Sequence, residues 1–186
     1  MSLLELDKKL FLLINGLGGS WLDYLFGWTT FLGTAFLFYL IFIFMLIWDP
    51  EKVAKKFLIV LTAGTCGSLL ASLLKSIISR PRPYEIFYQD IAQGKAVVNS
   101  IFSTVVSNSF PSGHAALVFA TVVALNVVYK NRLLFLYPLA AVVALSRIYV
   151  GAHFPSDVIA GVFVGSFISL FVVACLKKYI QWFSLY

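Results

Sequence analysis

The chain has 186 residues, 61% of them hydrophobic and only 12% charged, with a mean hydropathy of +0.94. A soluble domain carries about 25% charge, so composition excludes a water-soluble fold and predicts an all-α, polytopic transmembrane bundle of five to six spans. The net charge of +6 is scattered in short clusters, which excludes nucleic acid as a partner. The two cysteines, Cys66 and Cys175, lie inside apolar runs and form neither a disulfide framework nor a metal-binding spacing.

Within residues 1–20, Leu3, Leu4, Leu6, Leu10, Phe11, Leu13 and Ile14 alternate with Glu5, Asp7, Lys8 and Lys9. That pattern predicts an amphipathic helix lying in the interface; a true span is the other reading. The same charges argue against a cleaved signal peptide. Trp21, Tyr24 and Trp28 read as aromatic-belt anchors. Apolar runs predict spans at 29–48, 57–74, 111–129, 133–148 and 156–176. Gly64, Gly67, Ala71 and Ser72 give the second a small face, and Gly161 and Gly165 do the same for the last. Residues 76–110 form the longest connection, an extracytoplasmic loop or lid whose Ile86, Phe87, Tyr88, Val97, Val98, Ile101 and Phe102 suit an ordered element on the membrane surface. A single membrane domain covers 1–186.

Alternating the spans puts 75–112 and 147–157 on one side of the membrane. The other side takes Lys52, Lys55, Lys56, Lys130, Arg132, Lys177 and Lys178, seven of the fourteen Lys and Arg. Positive loops stay cytoplasmic, so the first side is expected to be extracytoplasmic.

That side collects three polar clusters. Lys75 and Arg82 flank Arg80. Pro111-Ser112-Gly113-His114 opens the third span. Arg147, His153 and Asp157 surround the start of the last. Singly, each has a plain structural explanation, in snorkelling cations or a proline-started helix. Together they describe a phosphoryl-transfer site. Lys75, Arg82 and Arg147 would surround a phosphate, with the Ser112 hydroxyl and the backbone at Gly113 completing the cradle. Asp157, one turn from His153, would fix its tautomer so that the ring attacks phosphorus. His114 would protonate the leaving oxygen and later activate water. Arg80 and Lys95 could meet a second phosphate or the headgroup. No carboxylate cluster for a divalent ion is present, so neither metal nor cofactor is expected.

Lys75-x6-Arg82-Pro83, Pro111-Ser112-Gly113-His114 and Ser146-Arg147-x5-His153-x3-Asp157 resemble the three signature motifs of the type 2 phosphatidic acid phosphatase family. The resemblance implies a metal-independent lipid phosphatase with a phosphohistidine intermediate, in the bacterial cytoplasmic membrane. Its substrate would be lipid A 1-phosphate, undecaprenyl pyrophosphate or phosphatidylglycerol phosphate. Members usually have six spans, against five counted here plus the N-terminal helix. The competing reading is a non-catalytic lipid-phosphate transporter or binding protein, which leaves the two histidines without a purpose.

Overall fold

Helix is the only regular structure among the described residues, 2–100 and 107–183 of a computed structural model. In order these are α1 (Leu3–Asn15), α2 (Ser20–Phe31), α3 (Phe36–Trp48), α4 (Val53–Ile77), α5 (Pro83–Ile86), α6 (Tyr88–Ala92), α7 (Gly113–Val128), α8 (Leu136–Tyr149) and α9 (Pro155–Phe183), with a 3₁₀ turn at Pro50–Lys52 leading into α4. Ile101 and Phe102 lie outside the described residues, as do the side chains of Lys177, Lys178 and the aromatic tail.

Helix α7 is apolar on every side and buried along its length from Ala115 to Asn126 except at Phe119. A helix of that kind belongs at the centre of a bundle. It packs between α4 and α9, which also touch each other, and α8 closes a further side. Close approach is built in by small residues. A Cβ on Gly161 would stand 2.4 Å from the Ser112 carbonyl oxygen, and one on Gly165 2.2 Å from that of Ala116. Meanwhile Ile159, Phe163, Phe167 and Leu170 point outward from α9, the apolar surface a bilayer solvates. Helix α4 likewise lays Gly64 on Thr121 and Gly67 on Ala120.

By length and composition, Pro50–Ile77 and Pro155–Leu176 can each cross a membrane. The expected first span at 29–48 is not one helix: Trp21–Phe31 and Phe36–Trp48 meet at a 75° bend. Thr34 makes the break. Its hydroxyl donates to the Phe31 carbonyl at 2.6 Å and accepts from Phe36 N–H at 3.3 Å, replacing helical hydrogen bonds. Trp21, Tyr24 and Trp28 are exposed on α2, inside a helix and not ahead of one. Helices α7 and α8 are apolar but shorter, at 16 and 14 residues.

The N-terminal helix also departs from expectation. Ser2 and Glu5 form a capping box, and Asp7, Phe11 and Asn15, at four-residue intervals, are its buried face. Asp7 is therefore not a solvent-side charge. Phe11 lies between Phe87 and Phe154, with ring centroids at 5.8 and 5.3 Å. Asn15 donates to the Tyr149 and Asn99 carbonyl oxygens at 2.7 and 2.8 Å. The helix is docked on the loops at one end of the bundle.

Candidate active site

Three chain segments meet at that end. Beyond α4 the chain turns through Arg80 and Arg82, and the 107–112 segment is stitched to it. Asn108 donates to the Lys75 carbonyl at 2.6 Å, Ser109 N–H to the Arg80 carbonyl at 2.7 Å, and Arg82 to Ser107 Oγ at 2.8 Å. The third segment leaves α8 through Gly151, whose φ of +79° suits glycine. Asn99 O would lie 2.7 Å from a Cβ there. This turn delivers His153 to the interior, 1% exposed.

Asp157 is the hub. Its Oδ2 accepts from Phe154 N–H at 2.8 Å, satisfying a donor ahead of α9. The same oxygen accepts from Ser109 Oγ at 2.5 Å and lies 3.7 Å from His153 Nδ1. That is an ion-pair distance, beyond a hydrogen bond. Ser109 Oγ is itself 3.4 Å from Nδ1, so the hydroxyl stands beside the contact that spacing alone predicts to be direct. Oδ1 accepts from Arg80 Nη1 at 2.5 Å. With Asp157 beside Nδ1, Nε2 is the ring nitrogen outside this contact.

His114 opens α7. Arg147, His153, Lys75 and Arg82 all lie close enough for their charges to act on it, and Lys75, Arg147 and Arg82 act in the same way on His153. The two imidazoles and three cations therefore lie within electrostatic reach of one another. Burial pushes His153 down to about 4, helped by those cations and opposed by Asp157, so the ring is neutral at pH 7. Burial also lowers the Arg82 guanidinium from its ordinary value, with Asp157 and Glu85 opposing. Arg82 is aimed by the Ala152 carbonyl, 2.8 Å from Nη1. Arg147 Nη1 donates to Thr30 Oγ1, while its Nε is buried without a partner among the described residues. At Gly113 a Cβ would meet nothing within 4 Å, so space opens beside the backbone there. Ser112 is fully buried and caps α7, accepting from Ala115 N–H at 3.4 Å; Pro111 precedes the cap and is not in the first turn.

Arg80 is the main departure. As a second-phosphate contact it would need a free guanidinium, yet it is held by Asp7 and Asp157 at 2.6 and 2.5 Å. Lys95 is exposed in the turn after α6, and no described contact joins it to the cluster. Sequence reasoning missed Asp7, Ser109, Thr30 and Gly33. A Cβ on Gly33 would stand 2.5 Å from His114 Cδ2, so the break between α2 and α3 walls the imidazole. The Ser109-Phe110-Pro111-Ser112 adjacency was the one available signal. Among the described residues no three His, Cys, Asp or Glu side chains group as metal ligands.

A family model described as the PAP2 superfamily matches residues 53–181. The crystal structure of Aquifex aeolicus LpxE superposes with a TM-score of 0.72 at 30% identity, covering 91% of this chain and 95% of that one. The lipid A 1-phosphatase of Rhizobium etli is 35% identical over 59% of this chain and 45% of its own length. A Bacillus licheniformis protein named bacitracin transport permease protein BcrC is 27% identical over 92% of this chain and 81% of its own.

Proposed function

The chain belongs to the PAP2 superfamily, and from that premise we propose that it hydrolyses a lipid phosphate through a phosphohistidine formed on His153. The observation that carries this is the meeting of a neutral, buried His153 with His114 under the charges of Lys75, Arg82 and Arg147. His153 Nε2 attacks phosphorus and the bond to the lipid oxygen breaks, with His114, protonated once the anionic phosphate is bound beside it, giving that oxygen a proton. The ring then carries positive charge, which Asp157 balances through Nδ1–H. Water next attacks the phosphorus, His114 takes its proton, and inorganic phosphate leaves with His153 restored. Lys75, Arg82 and Arg147 hold the equatorial oxygens, the buried Arg147 Nε finding its acceptor there. Gly113 lends backbone N–H groups at the start of α7, and Ser112 sets their direction. In this mechanism these cations do the work a metal does elsewhere, so EDTA should leave the rate unchanged.

The substrate is a lipid whose phosphate sits at headgroup level, such as lipid A 1-phosphate, undecaprenyl pyrophosphate or phosphatidylglycerol phosphate. The names of relatives support the first two: lipid A 1-phosphatase in Rhizobium etli and undecaprenyl-diphosphatase in Sulfolobus acidocaldarius. In this reading residues 1–186 are one phosphatase domain in a bacterial cytoplasmic membrane. Helices α4, α7, α8 and α9 and the bent α2–α3 pair make five spans, and α1 lies at the extracytoplasmic interface beside the site. Trp48, Lys52, Lys56, Lys130 and Arg132 line one cavity at the other end, which supports a cytoplasmic position for that end.

The name of BcrC favours a second reading, a transporter in which the cations only gather an anion. A phosphate-release panel of these lipids with His153→Ala decides. Loss of release with retained lipid binding supports the phosphatase; release unaffected by His153→Ala overturns it.

A further inference from the structure

Resting on the assignment of His153 as nucleophile, we propose that Arg80 and Asp7 are positioning residues that hold Asp157 toward His153, making the N-terminal helix part of the catalytic apparatus. The family match begins at residue 53, so Asp7 lies outside it.

The geometry is a chain of charges. Asp7 Oδ2 accepts from Arg80 Nη2 at 2.6 Å, and Arg80 Nη1 donates to Asp157 Oδ1 at 2.5 Å. Asp7 also takes the backbone N–H and the hydroxyl of Ser156 at 2.9 and 2.6 Å, and that hydroxyl accepts from Arg80 Nη1 at 2.6 Å. The guanidinium lies over the Phe154 ring, 4.4 Å from its centroid. Asp7 and Asp157 are buried, and Arg80 nearly so.

Each contact has a consequence at His153. Arg80 binds the oxygen of Asp157 that faces away from the imidazole, so the carboxylate cannot rotate and Oδ2 stays turned to Nδ1. A planar fork can bond two carboxylates while stacking on a ring; a lysine cannot do all three. Asp7 answers Arg80's charge. Asp7, Arg80 and Asp157 together carry one net negative charge, left to face the ring when it becomes cationic. Without Asp7 the sum is zero, and Asp157 is neutralised from behind.

The test measures kcat and KM of Arg80→Lys and Asp7→Asn on dioctanoyl phosphatidic acid and on farnesyl diphosphate, in the full chain. It also follows the Nδ1–H proton resonance of His153 in a His114→Asn background, where His153 is the sole imidazole. Expected are a roughly tenfold fall in kcat for Arg80→Lys and a severalfold fall for Asp7→Asn, equal on both substrates, with KM within about twofold. In an Asp157→Asn background Arg80→Lys should cost less than about twofold more, as one chain of contacts requires. The resonance should move in both variants. A rise in KM confined to the diphosphate would overturn the proposal and return Arg80 to a phosphate contact. An unshifted resonance or unchanged kcat in Asp7→Asn, the milder variant, would overturn it as well. Activity surviving His153→Ala would instead sink the phosphohistidine reading, while the resonance still judges the positioning.

Discussion

At one end of the bundle Arg80, Arg82 and Arg147 are each pinned, by two carboxylates, by the Ser107 and Ala152 acceptors, and by Thr30. At the other, Lys52, Lys130 and Arg132 are exposed, and Lys56 is paired with Asp49. The cores beneath differ too. Beneath the second end lie Met45, Ile59, Leu125 and Val173, while at the first Phe11, Phe87 and Phe154 pack together and the Arg80 guanidinium lies over the Phe154 ring. Cations at a membrane edge are common to both ends; what separates them is desolvation and fixed direction. A long side chain in water has its geometry averaged away, whereas a buried, bonded one keeps the same aim in every molecule.

Substitutions break that contrast in graded steps. His153→Ala should cost at least about 10³-fold in phosphate release, measured on a lipid monophosphate in detergent. Arg147→Lys keeps the charge but loses the fork and the Thr30 bond, so kcat/KM should fall roughly 10²-fold. Gly33→Ala must displace the His114 ring and should lower kcat about tenfold or more, whereas Gly19→Ala, with nothing within 4 Å of its Cβ, should leave the rate alone. The depressed value of about 4 for His153 has a signed consequence. As pH falls from about 6.5 to 4, the unfolded chain takes up a proton at this ring and the folded one does not. Its stabilising effect, complete above 6.5, is then lost, and the melting temperature should fall over that window. The dependence should flatten in His153→Gln. Smallest of all, Lys130→Gln and Arg132→Gln should stay within about twofold of the parent rate, since both side chains are exposed at the end away from His153.

Much of this was readable from residues and spacing, for stated reasons. Lys75, Arg82, His114, Arg147 and His153 could be placed at one end because apolar runs alternate sides, and a run of that length has few alternatives. Helix α9 is legible because residues 156–176 form one apolar run that carries Gly161 and Gly165 at a four-residue spacing. The break at Thr34 was not, since a threonine inside an apolar run is a weak signal until its hydroxyl is seen to replace helix bonds. Asp7 and Arg80 were misread because their partners are 73 and 77 residues apart in sequence. Periodicity reports local structure, and a charge in an amphipathic helix looks the same whether it meets water or a buried guanidinium. Ser109 stayed hidden for a similar reason: spacing puts Asp157 one turn from His153, but cannot say that a hydroxyl from another segment stands beside them.

One carboxylate both caps α9 and faces the His153 ring, because Asp157 Oδ2 takes the Phe154 N–H and lies beside Nδ1. A nascent chain whose final helix has not formed therefore has no organised imidazole, however complete its earlier segments are. In the proposed mechanism, hydrolysis therefore waits on the folding of α9 as well as on the arrival of the earlier motifs.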